Sequence, residues 1–131
     1  MASRIKAINA YRPRVVLGAT VKDEQLVQYI ADRTGLNRGD VRHMLDEFQD
    51  AIVFFALNGQ GVKLEGLATY LPKVDLAGKM SLSCRLSSAI NNRLNRKGAF
   101  KGDIANKENI GTTGEDLVGM WNEAHPEDVV A

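Results

Sequence analysis

Seven consecutive apolar residues, Ala51-Ile52-Val53-Phe54-Phe55-Ala56-Leu57, close the longest helix-like pattern of the sequence. The pattern opens at Asn37, with an acid, Asp40, three positions on, and Asn58-Gly59 ends it. Its apolar stripe is Val41, Met44, Leu45, Phe48, Ile52, Phe55 and Ala56, and in its first half Arg42, His43, Asp46 and Glu47 lie off that stripe. The last turns are apolar all round, and a helix apolar on every side must be buried on every side. A shorter helix precedes it. Thr20-Val21-Lys22-Asp23 predicts a start with Thr20 as N-cap, Leu26, Val27, Ile30 and Ala31 form one face, and Gly35 ends it. The few residues between the two helices predict a helical hairpin. One such hairpin over a small sheet cannot cover residues 51–57, whereas a second copy can. The expected dimer core is therefore Phe48, Ile52, Phe54 and Phe55.

Strands follow the hairpin. Val62 and Leu64 alternate with Lys63 and Glu65, and Gly66 marks a bend. Residues 67–74 read as a strand in which Pro72 demands an edge position or a bulge. Leu76-Ala77-Gly78-Lys79 is a tight turn. Beyond it the alternation is the clearest in the chain, with Met80, Leu82, Cys84 and Leu86 expected in the core and Ser81, Ser83, Arg85 and Ser87 outside. Ser87 or Ser88 caps a short helix bearing Ala89, Ile90 and Leu94, with Arg93 and Arg96 beside them. Residues 97–111 read as an ordered loop anchored by Phe100, Ile104 and Ile110. Thr112 or Thr113 caps a last helix whose apolar face is Leu117, Val118, Met120 and Trp121, and the residues after Pro126 are expected to fray.

The net charge of +1 over 131 residues hides strong segregation. Residues 1–22 carry five cations and no acid, and residues 23–50 hold seven acids against three arginines. Residues 81–107 carry six cations against Asp103 alone, and residues 108–131 hold six acids and no Lys or Arg. Basic blocks of this kind mark an electrostatic footprint, and an acidic tail can shield one. Other functions are excluded on chemistry. One cysteine permits neither an intramolecular disulfide nor a Cys-rich zinc site, and Cys84 reads as a small buried hydrophobe. His43 has no Cys or second His at ligand spacing and reads as a surface residue, as does His125 in the tail, so no metal site is expected. No phosphate-binding glycine loop, nucleophile triad or paired acid in a glycine-rich cleft can be assembled, so neither enzyme activity nor a cofactor is expected. The longest apolar run is far shorter than a membrane span, and no secretory signal is evident, so the expected setting is cytoplasmic.

The order helix, helix, bulged strand, hairpin, strand, short basic helix resembles the bacterial HU/integration-host-factor family of dimeric DNA-binding proteins. The resemblance covers about residues 20–94. Its best local match is Val62-Lys63-Leu64-Glu65-Gly66-Leu67-Ala68-Thr69-Tyr70, against an apolar-x-Leu-x-Gly-Phe-Gly-Thr-Phe run in the family. Gly66 and Thr69 match outright, and Ala68 stands where a glycine is usual. Tyr11-Arg12-Pro13-Arg14-Val15-Val16, with Gly18 and Thr20 after it, is similar to the N-terminal strand of HU-like proteins known mainly from Bacteroidetes. The resemblance implies an α+β, HU-like fold: an intertwined homodimer with a helical-hairpin base, a β-hairpin saddle that sits on the DNA backbone, and a short C-terminal helix. The expected organisation is a basic N-terminal strand segment (1–19), the HU-like domain (20–96) and a C-terminal extension with a loop, a short helix and an acidic tail (97–131).

The implied partner is double-stranded DNA, bound mostly without sequence preference by a nucleoid-associated, architectural homodimer. The candidate DNA-binding residues are Lys73, Lys79 and Arg85 on the hairpin, Arg93, Arg96 and Lys97 flanking the saddle, and Arg12 and Arg14 in the N-terminal segment. Family members extend long basic arms tipped by a proline that wedges between base pairs. Here the hairpin turns a few residues beyond Tyr70 without a proline at its tip, and Leu86-Ser87-Ser88 replaces the family's Pro-x-Gly-Lys stretch. Strong intercalation by an arm is therefore not expected, whereas phosphate contacts by the saddle are. The alternative is a dimeric HU-like adaptor that has lost DNA and docks a protein partner through the helix at 113–123. The shortened arm, near-neutral charge and acidic tail motivate it.

Overall fold

The computed structural model describes residues 1–131. The elements in order are α1 (Arg4–Tyr11), β1 (Arg14–Val16), α2 (Asp23–Thr34), α3 (Arg38–Leu57), β2 (Val62–Leu64), β3 (Ala68–Val74), β4 (Met80–Leu86), α4 (Ser88–Leu94), β5 (Asp103–Ala105), a 3-10 turn (Lys107–Asn109) and α5 (Gly114–Ala124). They divide into two units, one of residues 21–100 and one of residues 1–20 with 101–131. No helix is long and apolar enough to cross a membrane.

In the unit of residues 21–100, α2 and α3 form the expected hairpin. Asn37 caps α3 by accepting from the Asp40 N–H at 2.8 Å, and Gly35 ends α2 in the left-handed region. The expected cap at Thr20 is corrected. The N-cap is Lys22, without a side-chain bond, and Thr20 lies too far upstream to reach the free N–H groups. Asp23 and Glu24 in the first turn supply the negative charge that suits a helix N-terminus. Glu24 also accepts from both Arg38 and Arg42, joining α2 to α3. Between the helices Val27, Ala31 and Val41 are buried, with Ile30 against them.

The sheet is antiparallel in the order β2-β3-β4. Pairing of β2 with β3 stops at Val62 opposite Tyr70, so Pro72, opposite Leu82 on β4, meets a free edge on the other side. That is where proline is tolerated. Phe48 of α3 meets Tyr70 edge to face at 6.2 Å and Ala68 is buried, which makes theirs the helix-facing side of β3. By register the same side carries Leu86, Cys84, Leu82 and Met80. Their expected burial is corrected. Cys84 is exposed, and Met80, Leu82 and Leu86 are 61%, 42% and 55% exposed in the single chain. Helix α3 packs mainly on β2 and β3 and leaves the side chains of β4 largely open.

In the other unit, residues 1–19 are not simply a strand segment. Ser3 caps α1 by accepting from the Lys6 N–H, and Ala7, Ile8 and Tyr11 form a helical face. That face packs on α5 with Val118 and Trp121, so the apolar side of the helix at 113–123 is covered within the chain. Thr113 starts α5 in a reciprocal capping box with Asp116. Residues 97–111 are not simply a loop either, because β5 pairs antiparallel with β1 through Val15 opposite Ile104. Ile104 is half-buried, but Phe100 and Ile110 are 46% and 58% exposed and do not anchor. Asn106, left-handed at φ 56°, donates to the Ala10 and Arg12 carbonyls, and buried Asn109 donates to that of Tyr11.

The C-terminus is tied down, not frayed. Trp121 Nε1 donates to the Asp128 carbonyl at 2.7 Å, and the Val130 N–H donates to Asn122 Oδ1 at 2.7 Å. His125 is correspondingly half-buried instead of exposed, its ring stacked on Trp121 at 3.8 Å.

Candidate nucleic-acid interface

The side of the sheet away from α3 is set by strict alternation. It carries Lys63 on β2, Thr69, Leu71 and Lys73 on β3, and Ser81, Ser83 and Arg85 on β4. Lys63, Thr69 and Arg85 are consecutive partners and form one row across all three strands. Leu71 opposite Ser83 and Lys73 opposite Ser81 continue the surface toward the turn. Lys79 stands where the turn rejoins β4, its backbone bonded to Asp75 in both directions. Except for Leu71, the side chains between the cations are short and hydroxylated, so a backbone of phosphates can approach closely.

At the far end of this surface, Gly66 at φ 79° lets the chain reverse after β2. A groove there is lined by Lys63, Thr69, Arg85, Ser87 and Ser88, with one acid, Glu65, among them. The Ser87 N–H donates to the Leu67 carbonyl at 2.7 Å, and Ser87 Oγ accepts from the Ala89 N–H to cap α4. Arg93 lies in the last turn of α4, the end whose dipole favours a cation. Arg96 and Lys97 follow immediately.

Ion pairing separates these cations from others. Arg4 and Lys6 pair with Glu115 and Asp128, and Arg38 and Arg42 share Glu24. None of Lys73, Lys79, Arg85, Arg93, Arg96 and Lys97 has a carboxylate within 4.0 Å. Lys63 reaches Glu65 at 3.5 Å through two well-exposed side chains, a weak attachment. Within this unit, charge is divided by element. Residues 21–58 hold seven acids against four cations, whereas residues 59–100 hold seven cations against Glu65 and Asp75.

The structure thus brings Lys73 and Arg85 to one side of the sheet, leaves Lys79 in the turn that joins β3 to β4, and places Arg93, Arg96 and Lys97 at the end of α4. Arg12 and Arg14 belong to the other unit, at the end of α1 and on β1. Lys63 is the surface cation that reading the sequence left out of the site. Its alternation with Val62 and Leu64 was the available signal, but its place beside Thr69 and Arg85 depends on strand register.

Of the expected dimer-core residues, Ile52 is buried within its own chain and Phe48 is half-buried against Tyr70. Phe54 and Phe55 meet edge to face at 5.3 Å, yet remain 61% and 41% exposed. A groove beside them is lined by Val53, Ala56, Leu57, Pro72, Met80 and Leu82.

No curated protein sequence matches the chain. Among solved structures, a mutant of HU from Thermotoga maritima is similar with a TM-score of 0.49 and 15% identity, covering 56% of this chain and 99% of that one. A family model described as "HU domain fused to wHTH, Ig, or Glycine-rich motif" matches residues 4–94, well over half of the sequence, and the chain belongs to that HU-like family.

Proposed function

We propose that this protein is a homodimeric, mostly sequence-independent binder of double-stranded DNA that acts as an architectural protein of the nucleoid. The observation that carries the reading is the sheet surface. Apart from Lys63, whose attachment to Glu65 is weak, it presents cations with no carboxylate partner among small hydroxylated residues, and seven of the nine acids of its unit lie on α2 and α3. Lys73, Lys79, Arg85, Arg93, Arg96 and Lys97 contact phosphates, with Lys63 added on geometry and Arg12 and Arg14 as auxiliary cations. Phosphate contacts position a protein on the duplex without reading its sequence.

The second copy covers the apolar surface that one chain leaves open, with Phe54 and Phe55 at its centre. The adaptor alternative loses its proposed docking face, because Leu117, Val118 and Trp121 are buried in this chain.

Titration of random duplex DNA tests the reading. If three of the six cations touch phosphate in each protomer, a dimer neutralises about six charges, and affinity falls by roughly three decades between 50 and 200 mM salt. Absence of binding at low salt, or binding indifferent to salt, would refute it.

A further inference from the structure

Of the nine asparagines in the chain, Asn58 alone is followed by glycine. It stands at the C-cap of α3, and Asn58 and Gly59 are both exposed. Together with Gln60 they close the last turn of the helix. Asn58 Nδ2 donates to the Phe54 carbonyl at 2.8 Å, and the Asn58 and Gln60 N–H groups donate to that of Phe55 at 3.1 and 2.9 Å. The Gly59 N–H donates to the Ala56 carbonyl at 3.0 Å. These are the carbonyls that a helix end leaves without intrahelical partners. Gly59 takes φ 75°, and the space beside its Cα is open. Gly61 then passes against β3, where a Cβ would come within 3.1 Å of the Tyr70 carbonyl oxygen. The turn that ends α3 therefore also sets how the helix meets the sheet.

An asparagine side chain next to a glycine nitrogen is reactive in one particular way. Once the Gly59 nitrogen gives its proton to base, it attacks Cγ of Asn58. The bond from Cγ to Nδ2 breaks, and Nδ2 takes up a proton and leaves as ammonia. Water opens the resulting five-membered succinimide at either carbonyl, which yields an aspartate or an isoaspartate at position 58. Water is the only reagent consumed, and nothing is oxidised or reduced. In the closed turn both groups are held, the Gly59 N–H by Ala56 and the amide by Phe54, so the reaction proceeds when this end of α3 opens. Helix ends open at a small fraction of the global cost. We propose that Asn58-Gly59 is a self-modification site of this chain, at which deamidation undoes the closure of α3. The product lacks the donor to the Phe54 carbonyl and brings a carboxylate to a helix end whose dipole disfavours anions. The isoaspartate form also lengthens the main chain by one methylene and displaces the Gly59 and Gln60 N–H groups from Ala56 and Phe55. Phe54 and Phe55 lie at the centre of the surface assigned above to a second copy, so the modification weakens self-association. That consequence rests on the homodimer reading, whereas the chemistry does not.

The test follows the full chain through prolonged incubation in warm, mildly alkaline buffer. Peptide mass spectrometry is expected to find Asn58 converted from amide to acid before any other asparagine. Hydroxylamine, which cleaves the succinimide, is expected to cut the chain between residues 58 and 59. Asn58→Gln, whose longer side chain must close a larger ring, should keep its amide and resist hydroxylamine. Asn58→Asp supplies the product directly. Its thermal midpoint should fall by about 4–8 °C, as for loss of one hydrogen bond in a unit of this size. Sedimentation should show its self-association weakened by about tenfold. Conversion of another asparagine ahead of Asn58, or an amide that survives an incubation sufficient to convert the denatured chain, overturns the site. An Asn58→Asp chain with unchanged midpoint and unchanged association overturns the consequence. A wild type that stays monomeric at every concentration overturns the homodimer reading instead, and the mass measurement still decides the site.

Discussion

Arg85 stands at the end of the row that Lys63 and Thr69 begin, exposed and free of any carboxylate. Removing its charge should disturb binding without disturbing the fold. Arg85→Gln is expected to change stability by less than about 0.5 kcal/mol. It should also make the salt dependence of DNA binding shallower, by about one contact for each protomer and so about two for a dimer. Fluorescence anisotropy over a salt series gives that slope. An unchanged slope would remove Arg85 from the interface. Lys63→Gln should act in the same direction but more weakly, because Glu65 already competes for the ammonium group. At this scale the sequence was readable where chemistry alternates along one strand, as in Ser81, Ser83 and Arg85. It was silent where a residue's neighbours come from other strands, because register is a tertiary property.

The elements show the same division. Helix α3 was readable from Asn37 to Asn58, since a long apolar stripe and a side-chain cap are local signals. Helix α1 was not, because it is only eight residues long, its apolar residues fall on both sides, with Ile5 73% exposed, and its buried face is defined only by α5, far along the chain. Strand β5 has three residues, too few to show a period, and exists by pairing with β1. The partnership of α1 and α5 centres on Trp121, 7% exposed among Ala2, Ala7 and Val118. Trp121→Ala is expected to cost about 3–5 kcal/mol and to open this unit, read as loss of amide protection in α1 and α5. A milder perturbation comes from pH. The hydrogen bond from the N-terminal ammonium holds the Asp128 carboxyl below the usual carboxylate range, with Lys6 adding to it and desolvation opposing. A lowered native pKa means that the contribution is fully present above the unfolded value and is lost as pH falls through the native one. The C-terminal residues should therefore stay pinned at neutral pH and loosen in acid. The indole N–H resonance of Trp121, bonded to the Asp128 carbonyl, reports this directly. Asp128→Asn should abolish the acid step, and an unaltered step would assign it to another group.

At the scale of the whole molecule, the problem posed by the apolar turns of α3 persists in three dimensions. Residues 21–100 bury only Val27, Ala31, Val41, Ile52 and Ala68 among their hydrophobic residues. Five modest side chains are a thin core for a unit of that length, and small domains already bury a low fraction of their surface. Meanwhile Val53, Phe54 and Leu57 on α3 are 49%, 61% and 82% exposed, and the uncovered side of β4 adds Met80, Leu82 and Leu86. Contiguous apolar surface of this kind marks an association site. If a second copy completes this core, folding and association are one event, and the thermal midpoint must rise with protein concentration. Sedimentation should give twice the single-chain mass at micromolar concentration. Phe54→Asp would place a carboxylate in the shared core, where an unpaired charge is poorly tolerated, and should prevent folding. Phe54→Leu keeps the apolar character and should lower the midpoint while preserving the dimer. A chain whose midpoint is independent of concentration, and which accepts Phe54→Asp without loss, would be a monomer with an exposed aromatic. The basic sheet would then meet DNA as a single copy, with about half the salt dependence expected of the pair.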